Sequence, residues 1–507
     1  MAQRGILAYG AYLPYQRLDR RSISASLGTG GGKGTRTVAS YDEDTTSLGV
    51  EAARRALRAL PPGAPRPTAL YFATGDPAYL EKSNAAVVHA ALALDSSVVA
   101  YDLGGAVRSG VGALRAALER AEPTLVVLSD VRTGLPGGVD EAANGDAAVA
   151  FVTAGAGLPG GEGVSPGMIV AELVAAAGAT TELLDRWRLP GEPTARAWEE
   201  RFGEAVLVEP AQAALTDALK QAGIPVSEIS AAAVSGTSPR AARKVAAALA
   251  GAGATLVDDL SGTVGFTGAA HAGLLLAAAL DATEPGAVIA SLSLADGADV
   301  LVFRATDALA AARPTPSVAD QIAAGGAPLP YPTFLTWRGL LRREPPRRPD
   351  PVRPTAPASH RAEAWKYAFS ASRCQACGRR HLPPQRVCLE CHSVDQRELE
   401  RLADTPGTIV THTLDRLACS LHPPVVVAVV DFDGGGRFQC ELTDVDPATV
   451  AIGQRVEMTF RRLFTADGVH NYFWKAKPLS GLASPQDSAA PTRRRSKPLN
   501  SGGVHGQ

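Results

Sequence analysis

The first 373 residues of this 507-residue chain contain no cysteine. All six cysteines lie at or beyond position 374. Covalent catalysis on thioesters commonly uses an activated thiolate as the nucleophile. The distribution of cysteine therefore excludes that chemistry from the long N-terminal segment.

An excess of charge of one sign and long apolar runs are also absent. The chain has 50 Lys+Arg and 51 Asp+Glu residues, and this balance argues against a general polyanion binder. Its longest apolar runs, such as residues 273–280, are far shorter than the roughly 20 residues of a membrane span. The N-terminal residues lack a basic segment followed by a long apolar run, so we expect no signal peptide. We therefore expect a soluble cytoplasmic protein with no membrane partner.

The cysteines that are present form one metal signature. Cys374 and Cys377 make one C-x-x-C motif, Cys388 and Cys391 make a second, and ten residues separate the two pairs. Four thiolates on two tight turns suit the tetrahedral geometry of a structural zinc ion. Without a secretory signal, metal binding is favoured over disulfides. The remaining cysteines are interpreted as buried thiols, Cys419 and Cys440.

Residues 1–305 alternate strand-like runs with alanine-rich helical segments, which predicts an α/β layered fold. The order of these units repeats. Residues 68–94 resemble 231–249, and residues 97–118 resemble 255–280. This order favours two similar halves with a site between them, although alanine-rich segments also resemble one another by composition alone.

The C-terminal part has a different pattern. Residues 342–365 are rich in proline and arginine and are predicted to form a linker. We expect a zinc ribbon at 366–400, an OB-type β-barrel at 401–480 and a disordered tail at 481–507. Five β-like runs predict the barrel strands, namely 408–413, 425–432, 438–442, 455–460 and 472–476.

Several N-terminal motifs resemble the thiolase superfamily, most closely hydroxymethylglutaryl-CoA synthase, with ketoacyl-acyl-carrier-protein synthase III nearby. These motifs are YDEDTTSLGVEAARRAL (41–57), YDLGGAVRSGVGAL (101–114), NGDAAVAF (144–151), GAAHAGLLLAAALD (268–281) and LPYPTFLTWRGLL (329–341). Residues 366–480 are similar to zinc-ribbon and OB-fold proteins of domain of unknown function 35, which accompany thiolase-fold enzymes. The resemblance implies a duplicated thiolase-like αβαβα fold over 1–341, with halves at about 1–165 and 166–341. It also implies an acyl-CoA ligand, a homodimer and a thiolase-family partner protein.

The residues that carry out catalysis in the family are missing from the matching positions. The cysteine nucleophile of the family corresponds to Val107, and the acidic base of the synthases corresponds to Gly75. The asparagine of the ketoacyl synthases corresponds to Phe266, and SGTSPR (235–240), where the family has its histidine, contains none.

The residues that remain suggest a site for an acyl-CoA. Gly104 and Gly105 permit close backbone approach to a thioester, and Lys33 and Arg36 are candidates for contacting CoA phosphates. A solvated loop is the alternative for Lys33 and Arg36. The resemblance also places three candidate catalytic residues near the site, His271, Asp76 and Tyr101. Each has a structural alternative, respectively a packed histidine, an ordinary turn and a core tyrosine.

Three functions are compatible with this sequence. The first is an acyl-CoA-handling enzyme that makes or breaks a C–C bond without a cysteine, either an aldolase-like lyase or an atypical acyltransferase. The second is a catalytically silent subunit that binds acyl-CoA or forms a scaffold for a thiolase-family partner. The third is binding of single-stranded nucleic acid, which the charge disfavours, because residues 366–480 contain 14 Lys+Arg against 13 Asp+Glu.

Overall fold

The computed structural model describes residues 4–155, 166–198, 200–344, 347, 349 and 351–479. The predicted tail at 481–507 lies outside the described residues, as does the predicted boundary near 165. Within the described ranges, no helix is both long and apolar enough to span a bilayer.

The α/β region extends from β1 to α11. Its strands are β1 (Gly5–Tyr12), β2 (Gln16–Asp19), β3 (Thr35–Val38), β4 (Ala69–Thr74), β5 (Val99–Gly104), β6 (Thr124–Asp130), β7 (Ala147–Ala154), β8 (Ala171–Thr180), β9 (Arg186–Trp187), β10 (Arg196–Ala197), β11 (Ile229–Gly236), β12 (Thr255–Leu256), β13 (Val288–Leu294) and β14 (Gly297–Ala305). Its helices are α1 (Arg21–Leu27), α2 (Thr45–Arg58), α3 (Ala85–Ala91), α4 (Arg108–Glu119), α5 (Val139–Ala143), α6 (Glu200–Ala222), α7 (Pro239–Gly251), α8 (His271–Ala282), α9 (Leu309–Ala312), α10 (Val318–Ala323) and α11 (Tyr331–Trp337).

Ten of these strands form one sheet in the order β12-β11-β13-β14-β8-β1-β7-β6-β4-β5. The two halves of the sheet repeat the same arrangement. In the N-terminal half, β4 pairs in parallel with β5 and β6, and β7 is antiparallel to β1 and β6. In the C-terminal half, β11 pairs in parallel with β12 and β13, and β14 is antiparallel to β13 and β8. Strands β1 and β8 join the halves through the register Gly5↔Glu172. The strand order therefore repeats in the two halves, as the order of units in the sequence predicted.

The helices cover and separate these halves. Helices α4 and α8 share an apolar core with strands of both halves, and Leu114 and Leu274 are buried within it. Helices α2 and α3 pack outside the N-terminal half, and α6 and α7 pack outside the C-terminal half. This gives the helix–sheet–helix–sheet–helix layering of the predicted thiolase-like fold.

Local sequence signals explain where the main helices begin. Asp44 caps α2, because its carboxylate accepts a hydrogen bond from the Ser47 N–H while the Ser47 hydroxyl accepts one from the Asp44 N–H. Ser238 caps α7 in the same way through the N–H of Ala241, and Pro239 follows at the first helical position. These caps fix the ends of the helices next to the site described below.

The C-terminal region contains α12 (Ala356–Arg361), α13 (Glu363–Lys366), β15 (Ser370–Cys374), β16 (Arg380–His381), β17 (Arg397–Arg401), β18 (Gly407–Asp415), β19 (Val425–Phe432), β20 (Arg437–Leu442), β21 (Arg455–Ala466) and β22 (Val469–Pro478). Strands β15 to β17 form the ribbon sheet, and β18 to β22 close into a barrel. The two short helices fall at the end of the stretch that is predicted to be a linker, 342–365.

The barrel packs on α2 and on the segment that precedes it, and we call this contact the barrel interface. Its apolar part is one continuous core that includes Leu48 and Ala52 of α2 with Met458 and Trp474 of the barrel. The two regions therefore share buried surface rather than meeting only at polar edges.

Buried ion pairs also cross the barrel interface. Arg461 Nη1 lies 2.5 Å from Glu43 Oε1 and 3.6 Å from Asp42 Oδ1, and the Arg461 side chain is 0% exposed. Lys475 Nζ lies 2.9 Å from Asp42 Oδ2. The α/β region supplies the carboxylates and the barrel supplies these cations, so the two surfaces are electrostatically complementary.

Candidate functional site

The first turn of α4 meets the 3-10 turn Gly268–Ala270 at the centre of the α/β region. Val107 is the N-cap residue of α4, and its side chain makes no capping hydrogen bond. Gly110 lies so close to the 3-10 turn that a Cβ atom there would overlap the Ala269 carbonyl. Val107, which the sequence resemblance aligns with the family nucleophile, therefore lies one turn before this contact with the 3-10 turn.

A buried carboxylate, Asp130, lies at this junction. The Oδ2 atom accepts a hydrogen bond from the Ala269 N–H at 3.0 Å, and Arg132 Nη1 is 3.6 Å from the same atom. The Oδ1 atom has no hydrogen-bond partner among the described residues, and the Asp130 side chain is 0% exposed. Burial raises the pKa of Asp130 to about 6, although Arg132 acts in the opposite direction.

Two glycines make room for the Asp130 carboxylate. A Cβ atom on Gly75 would lie 3.2 Å from Asp130 Oδ2, and one on Gly268 would overlap that oxygen. Gly75 is the position that the sequence resemblance aligns with the acidic base of the synthases. Asp130 therefore brings a carboxyl group from a neighbouring strand close to the place where that base would begin.

Sequence reasoning missed Asp130. The signal was a buried run, Leu125–Leu128, followed closely by an aspartate at the carboxyl end of a strand. Functional groups in open α/β sheets commonly lie at such strand ends.

His271 is buried and neutral. Its Nδ1 accepts a hydrogen bond from the Thr267 N–H at 3.3 Å, and its ring packs 4.9 Å from the ring of Phe266. Burial lowers the pKa of His271 to about 4, while Asp259, whose backbone carbonyl accepts a hydrogen bond from the ring, acts to raise it. Both ring nitrogens are engaged, and this arrangement fits the packed-histidine alternative better than an acid–base role.

The other two predicted catalytic residues do not line the cavity described next, although Asp76 lies near Asp130 and acts to raise its pKa. Asp76 Oδ1 forms an ion pair with Arg188 Nη1 at 2.9 Å. Tyr101 is 53% exposed on the edge strand β5, with its ring 6.3 Å from that of Tyr71. His271 is the one member of this predicted set that lines the cavity described next.

A cavity of about 910 Å³ is lined mainly by the C-terminal half and partly by the N-terminal half, and it extends to His271. Its inner part includes the buried Ser235 and Asn144 and the half-buried Phe266, whereas Trp198 at its opening is 65% exposed. Small and apolar side chains line much of the wall, including Ala232, Val234, Ala242, Ala246, Ala247, Leu256 and Val257. Its size and lining suit a small-molecule ligand with an extended apolar part.

Basic side chains lie around this cavity. Lys33 and Arg243 are exposed at its lining, and Arg20 is also part of the wall. Arg186 makes a two-point ion pair with Asp140, at 2.7 Å from Nη1 to Oδ2 and 2.6 Å from Nη2 to Oδ1. The lining also contains the carboxylates Asp185 and Asp259, so cations exceed carboxylates only slightly. The cavity therefore combines an apolar interior with two exposed cations at its lining, Lys33 and Arg243.

Arg36 lies away from the cavity wall, which changes its interpretation. Its side chain is 0% exposed, and its Nη2 lies 3.3 Å from Asp146 Oδ1. Nη1 donates to the Glu141 carbonyl at 2.7 Å, so the guanidinium is committed inside the protein. Of the two predicted phosphate contacts, only Lys33 lines the cavity.

Gly104 and Gly105 lie at the end of β5 and are not among the residues that line the cavity. Gly105 has φ +105°, a conformation that favours glycine, and its N–H donates to the Thr74 carbonyl at 3.2 Å. Both glycines are exposed in the described chain.

The ribbon brings four sulfur atoms together. The Sγ atoms of Cys374, Cys377, Cys388 and Cys391 all lie within 4.8 Å of one another. Cys374 and Cys391 are 3.6 Å apart, and Cys377 and Cys388 are 3.5 Å apart. Tetrahedral Zn–S bonds of about 2.3 Å require S···S distances of about 3.8 Å, so this donor set fits zinc.

The two remaining cysteines differ from each other. Cys440 is buried, as predicted, whereas Cys419 is exposed in the loop between β18 and β19. The prediction that Cys419 is buried was therefore wrong, because strand periodicity does not extend into that loop.

Family models match the C-terminal region in two adjoining parts. Residues 366–395 match the rubredoxin-like zinc ribbon domain of ChsH2, and residues 400–461 match the C-terminal OB-fold domain of ChsH2. A DUF35 domain-containing scaffold protein of Methanothermobacter thermautotrophicus is 31% identical over 118 residues, which are 22% of this chain and 88% of the relative.

The N-terminal region has different relatives. A hydroxymethylglutaryl-CoA synthase of Methanothermobacter thermautotrophicus is 28% identical over 356 residues, which are 67% of this chain and 99% of the relative. A solved structure of that kind of synthase, in complex with CoA, aligns with a TM-score of 0.54 at 16% identity and covers 66% of this chain and 89% of the other. The synthase of the curacin biosynthetic pathway gives a TM-score of 0.55 at 17% identity, covering 66% and 88%.

The ribbon cysteines, the closed barrel and the relative matched over most of its length together define the C-terminal module. Through this module the chain belongs to the DUF35 family, joined in one polypeptide to a region with a hydroxymethylglutaryl-CoA synthase-like thiolase fold.

Proposed function

We propose that the α/β region binds an acyl-CoA thioester in the cavity that ends at Phe266 and His271. The observation that carries this proposal is the combination of an apolar interior with exposed cations at the lining, Lys33 and Arg243. CoA has the same division, because an uncharged pantetheine arm connects the acyl group to phosphates. The solved relative in complex with CoA supports the same ligand class.

The proposed reaction makes or breaks a C–C bond beside the thioester carbonyl, as an aldolase-like lyase or an atypical acyltransferase would. Such chemistry needs a group that accepts or donates a proton, and no thiol is present before residue 374. Asp130 is the candidate that we favour. It does not line the cavity itself, but it accepts a hydrogen bond from Ala269, two residues before His271 at the cavity end, and burial raises its pKa to about 6. A carboxyl group with this pKa exchanges protons near neutral pH.

A second candidate function is a silent subunit that binds acyl-CoA or serves as a scaffold for a thiolase-family partner. The observation that favours it is the state of the predicted catalytic groups. Val107 is inert, His271 has both ring nitrogens engaged, and Asp76 is paired with Arg188. The scaffold protein matched by the C-terminal module supports the same alternative.

Calorimetry with CoA and acetyl-CoA tests the binding step. Ala246→Trp fills the cavity from α7, and we expect this substitution to abolish binding. Ala248 is exposed on the same helix and does not line the cavity, so Ala248→Trp should bind as the unchanged protein does. Absence of binding by the unchanged protein, or equal binding by both variants, would contradict the proposed site.

Turnover separates the two candidate functions. We would incubate acyl-CoA with and without aldehydes and ketones as acceptors, and follow C–C bond formation and cleavage by mass spectrometry. The enzyme hypothesis predicts turnover that Asp130→Asn abolishes while CoA binding is kept. Binding without turnover across this panel would favour the silent subunit.

We also propose that the α/β region forms a homodimer along β5. This strand lies at one end of the ten-stranded sheet, and its outer edge has no partner strand among the described residues. Val99 is 39% exposed and Tyr101 is 53% exposed, although edge strands in soluble proteins are usually covered or charged. Light scattering at micromolar concentration tests this, and a strict monomer would contradict it.

A further inference from the structure

Arg20 differs from the other basic residues around the cavity because it is buried. It follows β2 and precedes α1, it lines the cavity, and it is 8% exposed. Its Nη1 donates a hydrogen bond to the Lys33 carbonyl at 3.3 Å. Its Nε and Nη2 atoms are buried and have no hydrogen-bond partner in the described part of the chain.

Such an arrangement is costly to a folded protein. Buried polar groups are nearly always hydrogen-bonded, and a buried charge normally has a partner of opposite charge. Arg20 forms no ion pair with a described carboxylate, although Asp259 lies close enough to act on it through space. Burial lowers the pKa of the Arg20 guanidinium, which means that the surroundings disfavour its charge.

Another buried arginine nearby, Arg17, has hydrogen-bond partners within the protein. Arg17 lies on β2 only three residues earlier and is 6% exposed. Its Nη2 donates to the Gln321 carbonyl at 2.9 Å, and its Nη1 donates to the carbonyls of Pro14 and Gln16. Arg132 and Arg338 also have a buried Nε without a hydrogen-bond partner, but each of them pairs with a carboxylate. Arg20 differs because two of its nitrogens lack a partner and no described carboxylate pairs with it.

We infer that Arg20 is the anion-binding residue of the cavity, and that its free N–H groups bind the oxygen atoms of a phosphate or a carboxylate on the ligand. Guanidinium groups present paired N–H donors that match both kinds of anion. This inference rests on the proposed acyl-CoA ligand, which offers two sources of such oxygens. One is the phosphate groups of CoA, and the other is a carboxylate on a dicarboxylic acyl group.

The first experiment compares stability, with Arg20→Met beside Arg17→Met. A ligand-binding arginine that lacks partners costs stability when the site is empty, so Arg20→Met should keep or raise the melting temperature, by about 1–3 °C. Arg17→Met removes a bonded side chain and should lower it. A melting temperature that falls equally in both variants would overturn the inference, because it would show that Arg20 is structural.

The second experiment measures binding by both variants to pyrophosphate, pantetheine, dephospho-CoA, CoA, butyryl-CoA and succinyl-CoA. Loss of a charge-assisted contact should weaken binding of the anion that Arg20 holds by about ten- to hundredfold in Arg20→Met. Arg17→Met should bind every probe as the unchanged protein does.

The pattern of loss identifies the anion. A loss confined to CoA and its thioesters indicates the 3′-phosphate, whereas a loss that includes dephospho-CoA and pyrophosphate indicates the pyrophosphate. A loss for succinyl-CoA alone, with butyryl-CoA unchanged, indicates a carboxylate on the acyl group. Equal binding of all probes by Arg20→Met and the unchanged protein would overturn the inference.

Failure of the proposed function would look different. In that case the unchanged protein would bind none of the CoA compounds. Pyrophosphate binding that is lost in Arg20→Met would then still support an anion site at Arg20. Absence of pyrophosphate binding as well as CoA binding would overturn both proposals.

Discussion

Buried charges occur in two regions of this molecule, and the two regions differ in how far these charges are paired with opposite charges. At the barrel interface, Arg461, Lys475 and Asp42 are buried in mutual ion pairs. Although burial acts to raise the pKa of Asp42, Lys475 and Arg461 hold it below its ordinary value. At the cavity and the adjoining turn, the buried Arg20 has no ion pair with a described carboxylate, and the buried Asp130 has one cation nearby, Arg132 at 3.6 Å. Buried atoms without a hydrogen-bond partner occur in both regions, so the number of countercharges is what distinguishes them.

This difference separates structure from function on physical grounds. Pairing at the barrel interface offsets the cost of removing charge from water and fixes how the two regions dock. A buried charge at the cavity that has no countercharge does not stabilise the folded protein by itself. Groups that break the rule of satisfied burial are expected where a ligand completes the bonding.

The ribbon provides the largest test of this idea, since its four thiol sulfur atoms lie within 4.8 Å of one another. We expect one zinc ion per chain, and we expect Cys377→Ser to lose it. Structural zinc supplies about 10–16 kcal/mol of apparent binding free energy in finger peptides, so the ribbon should unfold locally while the α/β region stays folded. Metal analysis and circular dichroism check this, with Cys419→Ser as the control, because Cys419 is exposed and outside the cluster. Unchanged zinc content in Cys377→Ser would contradict it.

The next effect concerns the barrel interface. Arg461→Met leaves Glu43 and Asp42 buried with one fewer cation, so we expect a loss of about 3–5 kcal/mol of unfolding free energy. Arg437→Met is the matched control on the barrel surface, where a 62%-exposed guanidinium pairs with Asp431. That change should cost less than about 1 kcal/mol. Urea unfolding measures both, and similar losses would show that burial does not distinguish the two pairs.

Much of the fold was predictable because it depends on local pattern. All five predicted barrel runs lie within or coincide with strands β18 to β22, since alternating apolar residues mark strands that are buried on one face. The repeated order of units predicted the two halves of the sheet. The ribbon was predictable because ligand spacing alone defines it.

The candidate site was less predictable, because it depends on long-range approach. Asp130 bonds to Ala269, 139 residues away, and no local signal connects the two. Arg36 and Arg20 lie close together in the sequence, and the residues around them in the sequence do not distinguish their roles. Only the tertiary structure shows that Arg36 is paired with Asp146 while Arg20 lines the cavity with free donors.

A smaller effect tests whether Asp130 is unsatisfied. Its pKa is about 6 in the folded protein and about 4 when unfolded, so the folded state holds the proton more tightly. The stability from this proton is complete below about pH 4 and is lost as pH rises through about 6, to a total of about 3 kcal/mol. Asp130→Asn should therefore match the unchanged protein near pH 4 and exceed its stability at pH 7.5. Urea unfolding across this range measures the difference, and a variant that is less stable by a constant amount would show that Asp130 is a paired structural group.

The smallest expected effect is the consequence of restoring a thiol. Val107→Cys places sulfur at the start of α4, but Val107 does not line the cavity, and the matched base position is Gly75. His271 is neutral and bonded through both ring nitrogens, so it cannot activate a thiol as a free imidazole would. Nucleophile, base and oxyanion donors act as a unit, and we therefore expect no condensation of acetyl-CoA above background in this variant.

We also expect the unchanged protein to carry no acetyl group within residues 1–341 after incubation with acetyl-CoA and digestion. Mass spectrometry checks both expectations. A stable acetyl adduct in the unchanged protein, or condensation product from Val107→Cys, would mean that a working acyl-transfer site exists and that the unpaired groups at the cavity have been misread.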